Sequence, residues 1–100
     1  MKVIYKEPGV APVVRDIPNT LEELQKAVGG YIESVTIATD AAIIVNEEGR
    51  LLSLPYNCTI CGLDFYGPLL IVGVDGENFC DLQDGWIDPL MRSWLKLHEG

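Results

Sequence analysis

Short runs of alternating apolar and polar residues dominate the chain, and helical spacing interrupts them twice. Met1 to Lys6 sets Val3 and Tyr5 against Lys2, Ile4 and Lys6, the period of a strand. Its lysines predict a place near a sheet edge, where they discourage further pairing. Glu7-Pro8-Gly9 is a turn. Val10 to Ile17 then resumes β-type residues around Pro12, which cannot donate to a ladder and marks an edge strand or a bulge. These two segments predict a first hairpin. Thr20 followed by Glu23 spells a capping box, Leu21, Leu24, Ala27 and Val28 share one helical face, and Gly29-Gly30 supplies a left-handed terminator. Tyr31 to Ala38 alternates again, with Tyr31, Glu33, Val35 and Ile37 on one face.

Ala42 to Pro55 carries two apolar arms about Asn46-Glu47-Glu48-Gly49, the composition of a type I turn closed by a glycine bulge. Ile43 and Val45 face one way and Ile44 the other, with Leu52 and Leu54 opposing Leu51. Arms apolar on both faces predict a hairpin in the middle of a sheet, with something covering it. Asn57 to Gly67 reads as irregular. Pro68 to Val74 is a wholly apolar strand, ended by Asp75-Gly76. Phe79 and Cys80 extend a short apolar stretch, and Asp81 is a candidate cap for a short helical segment. Asp88-Pro89 reads as a second helix N-terminus, with Leu90, Met91, Trp94, Leu95 and Leu97 giving that helix its apolar side. The order predicts an α+β fold: a mostly antiparallel sheet of β-hairpins with about two helices packed on one face. The 100 residues suit a single domain, 1–100.

Charge adds more to this picture than composition does. At 48% hydrophobic and 22% charged residues the chain is ordinary globular material. No apolar run approaches the ~20 residues that span a bilayer, and no apolar segment behind Lys2 suggests a signal peptide. Three cysteines, an odd number, fit a reducing compartment, so the expected location is the cytoplasm. The net charge is −8. Between Leu51 and Met91 there is no Lys or Arg, whereas Asp64, Asp75, Glu77, Asp81, Asp84 and Asp88 all fall there. A negative field over the second half repels nucleic acid and membrane phosphates and attracts basic partners, although solubility alone also accounts for it.

Candidate chemistry is sparse. Cys58-Thr59-Ile60-Cys61 is a C-x-x-C pair that, with Cys80 and His98, could make a Cys3His zinc site. No second paired motif accompanies it, and Gly62 follows too soon for the helix that a thioredoxin-like pair requires. Semi-buried thiols with no metal or other cofactor are the expectation. His98 is the only histidine, which leaves no relay for a nucleophile. Glu47 and Glu48 are adjacent and point apart, poor geometry for an acid/base pair. A non-enzymatic protein is expected. Tyr5, Tyr31, Tyr56, Tyr66, Trp86 and Trp94 are many amphipathic side chains for this length, and Trp86 is the best placed to be exposed. The candidate partner surface is Asp81, Asp84, Trp86 and Asp88, with Glu47 and Glu48. A separate candidate ligand site is Arg50, Tyr56, Asn57 and Tyr66. There Arg50, with Arg15 or Lys26, would hold phosphates, and the tyrosines would stack on bases.

The combination Glu7-Pro8-Gly9, Leu21-x-x-Leu24-Gln25-x-x-Val28-Gly29-Gly30-Tyr31-Ile32-Glu33, Asn46-Glu47-Glu48-Gly49-Arg50-Leu51 and Leu54-Pro55-x-Asn57 resembles the domain of unknown function 3846 family. Gly67, the strand after it and Gly73 continue the likeness along nearly the whole chain. The chain departs from that family after Asn57, where a basic residue is usual and Cys58 stands here. The tryptophans near the C-terminus also look particular to this chain. The resemblance implies a phage or mobile-element protein working inside a bacterial cell, and no mechanism. Three expectations follow. The first is an interaction protein whose acidic half meets a basic host surface, such as the groove of a host defence nuclease. The second is a binder of a nucleotide-derived signal. The third is a metal- or redox-dependent protein built on Cys58 and Cys61. The oligomeric state is left open, a homodimer included.

Overall fold

The computed structural model describes the backbone of residues 1–99 and the side chains of residues 1–93. Its elements are β1 (Lys2–Lys6), β2 (Val13–Asp16), α1 (Leu21–Val28), β3 (Ile32–Ala38), β4 (Ala41–Asn46), β5 (Tyr56–Ile60), β6 (Leu63–Tyr66), β7 (Leu69–Asp75), β8 (Asn78–Cys80) and α2 (Asp84–Glu99). The main sheet runs β2-β1-β7-β4-β3, with β8 folded back on β7, and β5 and β6 pair separately. Every ladder is antiparallel. The fold is α+β.

Both faces of the sheet's central strands are buried. Ile4, Ile43, Val45, Leu69 and Ile71 point to one side, where Phe65 of β6, Leu82 just before α2 and Ile87 in its first turn cover them. Val3, Tyr5, Ala42, Ile44, Leu70 and Val72 point to the other, against Leu24 and Val28 of α1. The helices therefore lie on opposite faces, which corrects the expectation of two helices on one. The cause is visible in β4 and β7, whose apolar residues occupy both faces and so require a cover on each.

The helix at Thr20 forms as its sequence predicts. The Thr20 hydroxyl accepts from the Glu23 amide at 3.3 Å, and Gly29 ends the helix with φ 80°. Half of the capping box is used, because the Thr20 amide donates to the Pro18 carbonyl instead. Leu21, assigned to the apolar face, stays exposed.

Four further expectations are corrected. First, Leu51–Leu54 is not a strand. Both edges of β4 are already taken, by β3 and by β7. The chain after Asn46 coils into successive turns closed by Leu52 N–H to Glu48 and Leu54 N–H to Gly49, with Ser53 at φ 55°. Leu51 is left 86% exposed. Second, the segment after Asn57 is not irregular but a hairpin, β5–β6. Cys58 and Ile60 alternate with Thr59, and Phe65 sits opposite Cys58, a one-face pattern half hidden by its polar residues. Third, β1 lies near the edge as expected, but its lysines do not guard one: the strand is paired on both sides, by β2 and β7, and Lys6 is buried. Fourth, α2 starts well before Asp88-Pro89. The Gln83 carbonyl accepts from the amides of Trp86 and Ile87, and Pro89 falls inside the helix. The carbonyl that Pro89 cannot serve belongs to Gly85, in the first turn of the helix. The assignments of Trp94, Leu95, Leu97 and His98 fall outside the described side chains.

Candidate binding cleft

Two of the sequence strings that carry the family likeness, Leu21 to Glu33 and Asn46 to Leu51, meet at one end of the sheet. Buried Asn46 links them: its Nδ2 donates to the Val28 carbonyl at 3.2 Å, and its Oδ1 accepts from the Glu48 amide at 2.8 Å. A side chain at Gly30 would run into this amide, at 2.9 Å from Nδ2. Gly49 is held as closely, since a Cβ there would stand 2.9 Å from the Tyr66 carbonyl. The turn 47–54 is thus pressed against β6 on one side and tied to the end of α1 on the other.

Between this turn, β6 and the outer part of β3 and β4 lies a cleft of about 360 Å³. Val35, Val45 and Phe65 belong to its apolar floor, and Leu51 and Leu63 form walls exposed at 86% and 48%. Its charged groups are Glu33, Glu47, Asp64 and Arg50. Among the described residues the side-chain ion pair is Lys2–Asp84, so none of these three carboxylates has a cation within the 4.0 Å of an ion pair. Arg50 rests on an aromatic ring instead, its guanidinium carbon 5.2 Å from the centre of Tyr66. Tyr56 meets Tyr66 edge to face at 5.8 Å. Thr59 Oγ1 donates to Asp64 at 2.6 Å, which leaves the Tyr56 hydroxyl to donate to Thr59 at 2.5 Å. A polar chain therefore fixes the hairpin side of the cleft.

Of the four residues of the sequence-derived ligand site, the structure brings Arg50, Tyr66 and Tyr56 together and takes Asn57 away. Asn57 is buried, donating to the carbonyls of Lys6 and Gly67 at 2.9 and 2.8 Å and accepting from Lys6 Nζ at 2.8 Å. Its place is internal. Arg15, offered as a helper for phosphates, lies over Tyr5 at 4.2 Å on the β2 edge.

The sequence-derived partner surface is split. Glu47 and Glu48 follow the Asn46 end of β4, whereas Asp81 lies beside Gly73, which pairs with the Ala41 end. Asp81 accepts from the Lys2 amide at 2.8 Å, and Asp84 pairs with Lys2 Nζ at 3.0 Å. Hydrogen bond and charge from Asp84 raise the Lys2 pKa. The acidic run is thus answered by a lysine from the far end of the chain, leaving Asp88 exposed beside it. Trp86 is not an exposed anchor. It is half-buried, packs on the core with Leu90 and Met91, and donates its Nε1–H to Asp40 at 3.0 Å.

None of the three cysteines lines the cleft. Cys58 is half-buried on β5, and burial pushes its thiol pKa up against the opposing pull of the Lys6 ammonium. Cys61 is exposed in the hairpin turn at φ 53°, next to Gly62 at φ 76°. Cys80 is half-buried, its pKa also raised by burial and then by Asp75. Among the described residues no three His, Cys, Asp or Glu side chains gather as metal ligands. No described helix is long and apolar enough to cross a membrane.

Glu33, Asp64 and Leu63 were not singled out as site residues by sequence reasoning. Glu33 had one signal, a charge on a strand face otherwise filled by Val35 and Ile37. Asp64 counts only as one of the six acids of the second half, and Leu63 has no signal while the segment reads as irregular.

Fold and cleft together define a small α+β sheet protein with a partly apolar, mainly acidic cleft at one sheet end. The chain belongs to the family described as domain of unknown function (DUF3846), which matches residues 1–95. No curated protein and no solved structure matches it.

Proposed function

We propose that this protein acts without catalysis, by binding a basic surface of another protein at the cleft beside the turn 47–54. One observation carries the reading: a cleft walled by exposed leucines and lined by three carboxylates that, among the described residues, form no ion pair. Exposed apolar side chains supply contact area, and unpaired acids supply attraction and selectivity for a basic partner. In the setting implied by the family likeness, a phage or mobile element in the bacterial cytoplasm, that partner is a host protein, a nucleic-acid-binding defence nuclease being one fitting class. The corner of Asp81, Asp84 and Asp88 is a weaker candidate, because Lys2 already answers it.

A nucleotide-derived signal is the second reading, favoured by Arg50 on Tyr66 with Tyr56 beside it. One cation among three carboxylates opposes an anionic ligand there. Affinity capture from bacterial lysate separates the two. A partner held by the wild type and lost from Glu33→Lys/Glu47→Lys supports protein binding at the cleft. A partner held equally by both argues against it. Specific retention of a nucleotide, abolished by Arg50→Ala, supports the second reading.

A further inference from the structure

The two edges of the main sheet differ in a way that bears on how a partner engages. At one end β2 is short, four residues, follows Pro12 and carries Arg15 and Asp16, features that blunt an edge. At the other end β3 runs seven residues, Ile32–Ala38, without a proline or a lysine, and a single irregularity falls near its hairpin to β4. Among the described residues no strand pairs with its outer side. Its row of N–H and C=O groups is open for pairing.

This edge adjoins the cleft. Glu33 sits opposite Val45 and Val35 opposite Ile43, so both share the face on which the cleft lies, and both line it. A strand laid along β3 would set alternate side chains on that same face, about 5 Å from Glu33 and Val35. A long basic side chain there could run its aliphatic stem along Val35 and Leu63 and present its charge to Glu33 and Asp64.

We infer that the partner engages as an extended segment that adds as a strand to the outer edge of β3 and places a Lys or Arg in the cleft. This rests on the reading of the cleft as a protein-binding site and specifies its mode: ladder hydrogen bonds give affinity and the cleft selects the side chain. Charge decides the occupant. A second copy paired edge to edge would bring the acids of two chains, each of net charge −8, to one seam. A basic segment relieves that charge.

The test is an amide-resolved NMR titration of the whole ¹⁵N-labelled chain with capped synthetic peptides. One is Thr-Val-Lys-Val-Lys-Val-Thr, the second has Glu for Lys, and the third is the Lys peptide N-methylated at alternate residues. The Lys peptide should shift and protect amides of β3 together with cleft residues. The Glu peptide and the N-methylated peptide should each bind at least about tenfold more weakly, a difference of about 1.4 kcal/mol. Glu33→Gln/Asp64→Asn should weaken the Lys peptide and leave the spectrum of the free protein otherwise folded. Equal binding of the N-methylated peptide overturns strand addition while leaving the cleft as a binding site. Unmoved cleft and β3 amides with every peptide overturn both. Concentration-dependent broadening of β3 without peptide overturns the inference in favour of a second copy.

Discussion

Lys6 and Asn57 hold each other at both ends. Lys6 Nζ donates to Asn57 Oδ1 at 2.8 Å, and Asn57 Nδ2 returns a hydrogen bond to the Lys6 carbonyl at 2.9 Å. Both residues are buried, and a third bond, from Lys6 Nζ to the Glu7 carbonyl, is longer at 3.3 Å. The pair clips the β5–β6 hairpin, and with it one wall of the cleft, to β1. Asn57→Ala would strand a buried ammonium, and chemical denaturation should show a loss of about 3 kcal/mol. Lys6→Met/Asn57→Leu should recover part of it, since the apolar pair leaves no buried ammonium but still removes the donor that Asn57 gives to the carbonyls of Lys6 and Gly67. Equal losses in both variants would mean that shape, not the polar pair, holds the hairpin.

Cys61 occupies a position that favours glycine or asparagine. Its φ of 53°, followed by Gly62 at 76°, is the backbone of a tight hairpin turn whose preferred dipeptide is Asn-Gly. Cys61→Asn should raise stability by about 1 kcal/mol, the cost that an ordinary side chain bears there. Cys61→Val should lower it. A fall with Asn would show that the thiol itself contributes.

Trp86→Phe should cost about 1 kcal/mol, because it leaves Asp40 without its indole donor. The same change should leave binding at the cleft untouched. An unchanged denaturation midpoint would restore Trp86 as a surface residue free for a partner.

Alkali should destabilise the fold. Burial and the hydrogen bond to Glu7 raise the Tyr5 pKa above its ordinary 10.0, and burial raises Cys58 above 9.0. In each case the unfolded chain releases its proton first while the folded chain keeps it. Stability is therefore complete below about pH 9 and falls as pH climbs through the folded values. Denaturation midpoints measured from pH 8 to 11 should decline, and Tyr5→Phe should remove part of the slope. A flat profile would show that neither group is held neutral by the fold.

Much of the fold is legible in the sequence. Thr20, Gly29 and the unbroken apolar runs at Ile43–Val45 and Leu69–Val72 announce a capped helix and two strands buried on both faces. Local pattern cannot say which strands pair. The arm Leu51–Leu54 has strand chemistry, but β3 and β7 occupy both edges of β4, so its leucines become cleft wall and exposed surface. Nor can a run of like charge reveal its answer. Lys2 is about eighty residues from Asp84 in sequence and 3.0 Å away in space. Arg50 with Tyr66 was legible because both carry side chains suited to a ligand. Asn57, chosen with them, was claimed by the interior. Glu33 and Asp64 face one cleft only through a hairpin that polar residues disguise.

On the proposed reading, the cleft beside the turn 47–54, and not the Lys2 corner, meets the partner. Site-specific photocrosslinking in the bacterial cell tests it most directly, with a photoreactive residue placed at Leu51 in one variant and at Asp88 in another. Both positions are exposed, so neither substitution disturbs the core. A discrete adduct from position 51, absent at position 88 and lost on adding Glu33→Lys/Asp64→Lys, is the predicted result. An adduct formed at position 88 and not at 51 would contradict the account.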